Sequence, residues 1–568
     1  MFRIKSENKF FSIGYILILV HTFYLTNIFY DSTRGPDYEL YSSYISYFFS
    51  DNNNTDLDQG IFYYFSVSFI LAMFESFHTG QNHSILVSNS VQIINFIYYL
   101  IGCFGLYSLA KYKLFTNKSI YISLLLLNFF PPLLQLRITM KPEILAFAIL
   151  PWILYNIELY LQNKKNINLL LAIIQFTLIV SIKGSISLMV GVFVLILYGK
   201  NIIQLNLKIL LISFLLFTLL FTGIINENYE ANQTGFLENS NLRQNYGDYN
   251  YVPQLAFYFN VDLYNLATRP YLDNHANSMF SIIMLDTFND YFHLYWNLDK
   301  SMFNRDQVIK NINTQNIYIN KIIKNLEYYV SFIFSLIFYA LLIKYFRDKE
   351  IFYKSSIAPL PGLLVVLLSA SGFPFKNFNP NTADTIKVFY FGFLLSFAFF
   401  FLSSNLVKNG SNKKIIGSSF IYIMCIFIIL GFPKIDNPNY YKQLIPNKAN
   451  SLICPVSNIV SWKIPKTECM KKQPSYCGFM TNFTPPKKED GNIEYFKDDY
   501  FGSISLAKAN EVVFIEGYAK CKDYESLGFK NLYSFERLKV PYLSLTTLLA
   551  GFLIQIYYTL YFRSSRSK

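Results

Sequence analysis

The chain is 568 residues long, 53% hydrophobic and 19% aromatic, with 15% charged residues. A soluble domain carries roughly a quarter charged residues and a disordered chain is poor in apolar ones, so both classes are excluded and the sequence reads as a bilayer protein. The formal net charge of +13 is scattered in short clusters between apolar runs rather than gathered on one patch, which argues for membrane topology and against a nucleic-acid partner.

A hydrocarbon core of about 30 Å needs about 20 helical residues to cross it. Apolar runs of that kind are predicted as spans near 10–30, 88–110, 119–136, 142–161, 167–182, 185–199, 208–225, 329–346, 356–372, 388–407, 414–432 and 542–562. The first is long, rich in Tyr and Phe, and followed by no small-residue cleavage site, so it is expected to stay as a span rather than leave as a signal peptide. Basic clusters fall at every second connection: Arg3/Lys5/Lys9, Lys111/Lys113/Lys118, Lys164/Lys165, Lys200/Lys208, Lys344/Arg347/Lys349/Lys354, Lys408/Lys413/Lys414 and Arg563/Arg566/Lys568. Positively charged connections stay cytoplasmic, so about twelve transmembrane helices with both termini inside satisfy every cluster. The run 61–76 (IFYYFSVSFILAMFES) would reverse that parity as a span and is expected to lie as an interfacial helix on the outer leaflet.

The fold class expected is therefore an α-helical polytopic membrane protein with helices in its external loops. A transmembrane catalytic region covers 1–432, with large external loops at about 31–87 and 226–328, an external mixed domain covers 433–541, and a last span with a basic tail covers 542–568. Of six cysteines, Cys103 and Cys425 sit in spans, where a thiol is a small apolar group; Cys454, Cys469, Cys477 and Cys521 all fall in the 433–541 segment. Four cysteines in an external region fit two disulfides, with three pairings open. Zinc is the competing reading, disfavoured because the nearby chain offers no His and Cys469 and Cys477 lack metal-knuckle spacing. Short β-like runs such as EVVFIEGY (511–518) point to a small mixed domain there.

Four polar features interrupt the apolar pattern. DSTRGPDYEL, just beyond the first span, carries Arg34, Asp37 and Glu39; two acids at i and i+2 on an extended stretch point the same way. RITMKPEIL (137–145) places Arg137, Lys141 and Glu143 at a short turn, with Pro142 suited to a helix start; snorkelling cations are the bland alternative. SIKGS (181–185) puts Lys183 inside an otherwise apolar stretch, where a cation is costly and functional by default. NPNTADTIKVFYF (379–391) leaves Asp384 and Lys387 just before the tenth span. All four are expected on one side of the membrane at one depth. Carboxylates suited to general-base work and cations suited to a phosphate then describe an enzyme acting on a lipid phosphate. In the second external loop Asp286, Asp290 and His293 share a helical face that suits a divalent metal or sugar hydroxyls, as Glu143 also does; an amphipathic helix over the site is the preferred reading of that loop. No cofactor is otherwise indicated. The chain is rich in Phe (57), Tyr (46) and Asn, as AT-rich coding produces, so a single residue of these types carries little information.

In these features the chain resembles the GT-C superfamily of polytopic glycosyltransferases, notably the protein O-mannosyltransferase and aminoarabinose transferase branch, over roughly residues 1–225 with a weaker echo at 380–405. The points of likeness are the acids after the first span (Asp37, Glu39), the apolar helix in the first loop, the Lys-Pro-Glu turn opening the fourth span (Lys141, Pro142, Glu143) and the Lys-Gly turn between the fifth and sixth (Lys183, Gly184). The resemblance implies a polyprenyl-phosphate sugar donor, a glycan, lipid or protein acceptor, and a first-loop carboxylate that deprotonates it. Asp37 is the expected base and Glu39 the alternative, while Lys141, Lys183 and Lys387, with Arg34 and Arg137 behind them, hold the donor phosphate. It also implies a bacterial inner membrane with the site facing the periplasm. Two departures stand out: Tyr38 splits acids that are adjacent in the O-mannosyltransferase branch, and 433–541 matches no accessory domain of the family. An O-antigen-type polymerase or ligase, a secondary transporter or a non-enzymatic scaffold are the competing functions; no internal repeat favours the transporter.

Overall fold

The computed structural model describes residues 14–20, 22–23, 32, 41, 44–45, 47–49, 60–77, 83–203, 215, 217–218, 259, 261, 263, 279–288, 318–346, 358–370 and 388–431, together with short strands between 454 and 519. The described helices are α1 (Ile61–Phe77), α2 (His83–Tyr112), α3 (Asn117–Asn128), α4 (Pro131–Ile138), α5 (Glu143–Asn163), α6 (Asn166–Val180), α7 (Gly184–Ile203), α8 (Met279–Asp286), α9 (Tyr318–Phe346), α10 (Pro359–Ala370), α11 (Gly392–Asn409) and α12 (Asn412–Gly431); the expected spans 10–30, 208–225 and 542–562 lie wholly or largely outside the described residues. Among the described residues, Leu86–Tyr112, Glu143–Asn163 and Gly184–Asn201 are long and apolar enough to cross a membrane. The pair α3 and α4 makes a fourth if it is one span. The chain thus has the helices of a membrane protein.

The expected span 119–136 is broken. The axes of α3 and α4 meet at 60°, because Pro131 and Pro132 at the first positions of α4 supply no amide hydrogens to carry the ladder on from α3. Phe130, fully buried at the break, stacks on Phe399 of α11 at 4.3 Å between ring centroids and meets Phe288 and Phe338 edge-on or tilted. Three segments distant in sequence are gathered on that one ring.

The centre of the bundle is α5, buried along most of its length, against α2 and α6. Close approach to α2 depends on Gly102: a β-carbon there would lie 2.9 Å from the Phe147 carbonyl oxygen and collide with its ring. Trp152 Nε1 donates to the Ile101 carbonyl at 3.0 Å across the same seam. At the far end of α5, Glu158 accepts Lys113 Nζ at 2.6 Å and Tyr198 Oη at 2.8 Å, tying the C-terminal ends of α2 and α7 to α5. The α1 helix is enclosed by protein on nearly every side, with Phe69 its one exposed residue among those described.

Beyond the bundle, β1 (Cys454–Val456) pairs antiparallel with β6 (Gly517–Ala519), and β2 (Ser461–Trp462), β5 (Val513–Ile515), β4 (Gly502–Leu506) and β3 (Phe496–Asp498) form a second antiparallel sheet in that order. Cys454 opens β1; Cys469, Cys477 and Cys521 lie outside the described residues. Cys103 and Cys425 are free thiols.

Candidate functional site

The turn 139–142 is fixed by an unusually complete set of hydrogen bonds. The last turn of a helix leaves carbonyls without partners, and here side chains supply them. Asn95 of α2, fully buried, points its Nδ2 at the carbonyls of Leu136, Arg137 and Thr139, at 3.2, 2.9 and 2.8 Å. Ser32 Oγ donates to Ile138 at 2.6 Å, and Thr139 Oγ1 donates to Gln135 at 2.7 Å. Ser32 is itself held by Ser88 and Gln92, which lie on the same face of α2 as Asn95 at spacings of four and three. Tyr63 of α1 donates to Asn95 Oδ1 at 2.8 Å. Burial, reinforced by Tyr98 and Glu143, pushes the Tyr63 phenol well above its usual range, so it remains a donor.

This turn presents Lys141 and Glu143, each 1% exposed. Lys141 Nζ donates to Tyr41 Oη at 2.6 Å and lies 4.3 Å from that ring's centroid. Tyr41 stacks on Tyr64 at 5.8 Å, and Tyr44 meets Tyr64 edge-on at 5.0 Å. Ser32 and Tyr41, one anchored to Ile138 and the other to Lys141, flank residues 33–40 in sequence. Arg34, Asp37 and Glu39 belong to that stretch and lie outside the described residues.

A second turn, 181–183, joins the first through Gly60. The Gly60 amide donates to the Ile182 carbonyl at 2.8 Å, and its φ of +70° is a left-handed value natural to glycine. A β-carbon there would sit 2.7 Å from the Tyr64 ring and 3.2 Å from Pro142 Cβ. One residue later Lys183, half-buried just before α7, places Nζ 4.5 Å over the ring of Tyr390. Tyr390 belongs to a 3₁₀ turn, Val388–Phe391, which touches α4, α5, α7, α8 and α10. Lys387 immediately precedes that turn and, like Asp384, lies outside the described residues.

Three sequence features, two of them forty residues apart and the third some two hundred further on, therefore share one end of the bundle. Arg137 does not join the Lys141 group: its guanidinium, 4% exposed, donates to Asn128 Oδ1 at 2.6 Å and lies 4.5 Å over Tyr99. Asn128 in turn donates to Thr22 at 3.0 Å. Arg137 thus holds α4 to the end of α3 across the break. Asp286 closes α8; Asp290 and His293 lie outside the described residues. Among the described residues no three His, Cys, Asp or Glu side chains gather as a metal site. An apolar groove of about 640 Å³ runs between α7, α8, α9 and α10, walled by Val192, Ile196, Ile283, Ile343 and Leu364.

Asn95, Tyr63, Tyr41, Gly60 and Tyr390 all escaped the reading of the sequence. The signal for Asn95 was present in SNSVQIIN (88–95), where Ser88, Gln92 and Asn95 form a polar stripe on an apolar helix. No protein-family model, no curated protein sequence and no solved structure matches the chain.

Proposed function

We propose that the chain is a GT-C-type membrane glycosyltransferase that moves a sugar from a polyprenyl-phosphate donor to an acceptor hydroxyl. One observation carries this reading: Lys141 and Lys183, from turns forty residues apart, are linked through Gly60 at the end of the bundle where Ser32 and Tyr41 flank the acids of the first loop. In this reading the two ammonium groups bind the donor phosphate as charge-assisted donors. The acceptor oxygen attacks the anomeric carbon, its proton passes to Asp37, or alternatively Glu39, and the bond to phosphate breaks, releasing polyprenyl phosphate. A positioned base of this kind is worth roughly 10²–10⁴ in rate. The apolar groove along α7 begins some nine residues beyond Lys183, or about 13 Å at helical rise, and gives the prenyl chain an apolar wall. About twelve spans, an outward-facing site and a bacterial inner membrane complete the proposal.

The test is to incubate the purified protein with a panel of polyprenyl-phosphate sugars and follow release of polyprenyl phosphate. Turnover of one donor, with binding weakened about tenfold or more in Lys183→Met, is the expected outcome. No binding or turnover of any donor overturns the reading. A transporter is the second reading, favoured by the broken helix that carries buried Arg137; it binds a donor without releasing polyprenyl phosphate.

A further inference from the structure

Glu143 has no partner for the chemistry it carries. Its side chain is 1% exposed and its Oε2 is fully buried without a hydrogen bond. Tyr63, the phenol whose ionisation it opposes, already donates its hydrogen bond to Asn95. A buried carboxylate oxygen without a donor is costly, and the turn that leads into Glu143 is held in place by Asn95 and Ser32. We infer that Glu143 reads the sugar of the donor, accepting a hydrogen bond from one of its hydroxyls while Lys141, two residues away, holds the phosphate.

This inference rests on the lipid-phosphate reading above and adds which part of the donor Glu143 recognises. A hydroxyl fits better than a cation for two reasons. Lys141, two residues away in the same turn, already supplies a cation to this end of the bundle, and among the described residues no three His, Cys, Asp or Glu side chains gather to hold another. In a lipid-phosphate sugar the group adjoining the phosphate is the sugar ring, so a phosphate on Lys141 brings ring hydroxyls to the start of α5. The carboxylate also lies in the first turn of α5, where the helix dipole favours negative charge.

Equilibrium binding to the full-length protein in lipid nanodiscs tests it, with two kinds of probe: bare polyprenyl phosphate, and the same lipid carrying glucose, galactose, mannose or N-acetylglucosamine. Wild type is expected to bind at least one glycosylated lipid more tightly than the bare one. Glu143→Leu should weaken that lipid by about tenfold to a hundredfold, and the near-isosteric Glu143→Gln by less, both leaving bare-lipid affinity unchanged. Retained bare-lipid binding certifies the fold; if Glu143→Leu fails to fold, the ratio in Glu143→Gln decides. Lys183→Met should weaken both lipids in the same proportion. If the Glu143 variants keep the wild-type ratio of glycosylated to bare affinity, the sugar-reading role is wrong, while a Lys183→Met loss keeps the phosphate reading alive. If wild type binds neither lipid, both fall together.

Discussion

Asn95 closes the end of α4 and ties α1 to it through Tyr63, so its side chain determines where Lys141 and Glu143 stand. Asn95→Leu keeps the volume and removes every hydrogen bond, leaving buried carbonyls and the Tyr63 hydroxyl without partners. Each such group costs about 1–3 kcal/mol, and the variant is expected to lose about 3 kcal/mol or more of stability in detergent unfolding. A loss below about 0.5 kcal/mol, the range of neutral surface changes, would show that the turn is held by other means. Asn95 was illegible for a definite reason: in a chain this rich in Asn and Tyr, composition alone accounts for any single one, and only the spacing of Ser88, Gln92 and Asn95 separates signal from background. Lys141, Glu143 and Lys183 were legible because charge in an apolar stretch is costly whatever the genome. The first-loop acids were singled out instead by their i, i+2 spacing just beyond the first span and by the resemblance. Asp37→Asn is expected to abolish transfer with donor binding intact, whereas Asp51→Asn or Asp58→Asn does little, since these acids further along the same loop are of the kind that any external loop collects once Lys and Arg are kept inside. If Glu39→Gln is the inactive variant instead, the roles within the pair are exchanged, and if both stay active the first-loop base is abandoned.

At the scale of elements, hydropathy located the helices but not the break between α3 and α4. Pro131 and Pro132 were in plain view, yet proline at a helix start and proline within a span look alike until Phe130 is seen anchored in the aromatic cluster with Phe399 and Phe338. Across this break Arg137 and Asn128 act as a staple. Removing one partner of a buried charge strands the other and costs far more than removing both. Asn128→Leu should therefore lower the thermal midpoint more than Arg137→Met does, and the double variant should recover part of the loss. Arg137→Met should also leave donor affinity close to wild type, since its guanidinium is engaged with Asn128 and Tyr99. Strictly additive midpoints would show that the pair is not coupled, and a large loss of donor affinity would return Arg137 to the phosphate site.

At the scale of the molecule, the turns with Lys141, Lys183 and Tyr390 occupy one end of the bundle, and Lys113 with Glu158 the other. Helix direction explains this separation: α5 starts at Glu143 and carries Glu158 four turns on, so the polar motifs and the basic cluster 111–118 cannot share an end. In the proposed topology the parity of basic clusters assigns the Lys113 end to the cytoplasm, and the candidate site to the outside, together with the segment that holds Cys454, Cys469, Cys477 and Cys521. Sidedness is thus open to a chemical test. In sealed right-side-out vesicles a membrane-impermeant maleimide should label none of these four thiols before reduction and should label them after it. A cysteine introduced at Asn409, beside Lys408, should react only in inverted vesicles, measured on a background with Cys103 and Cys425 replaced by serine. Labelling of the four native thiols without reductant would remove the disulfides. Labelling at position 409 from the outside would reverse the bundle, placing Lys141 and Lys183 in the cytoplasmic leaflet and requiring a donor on that side.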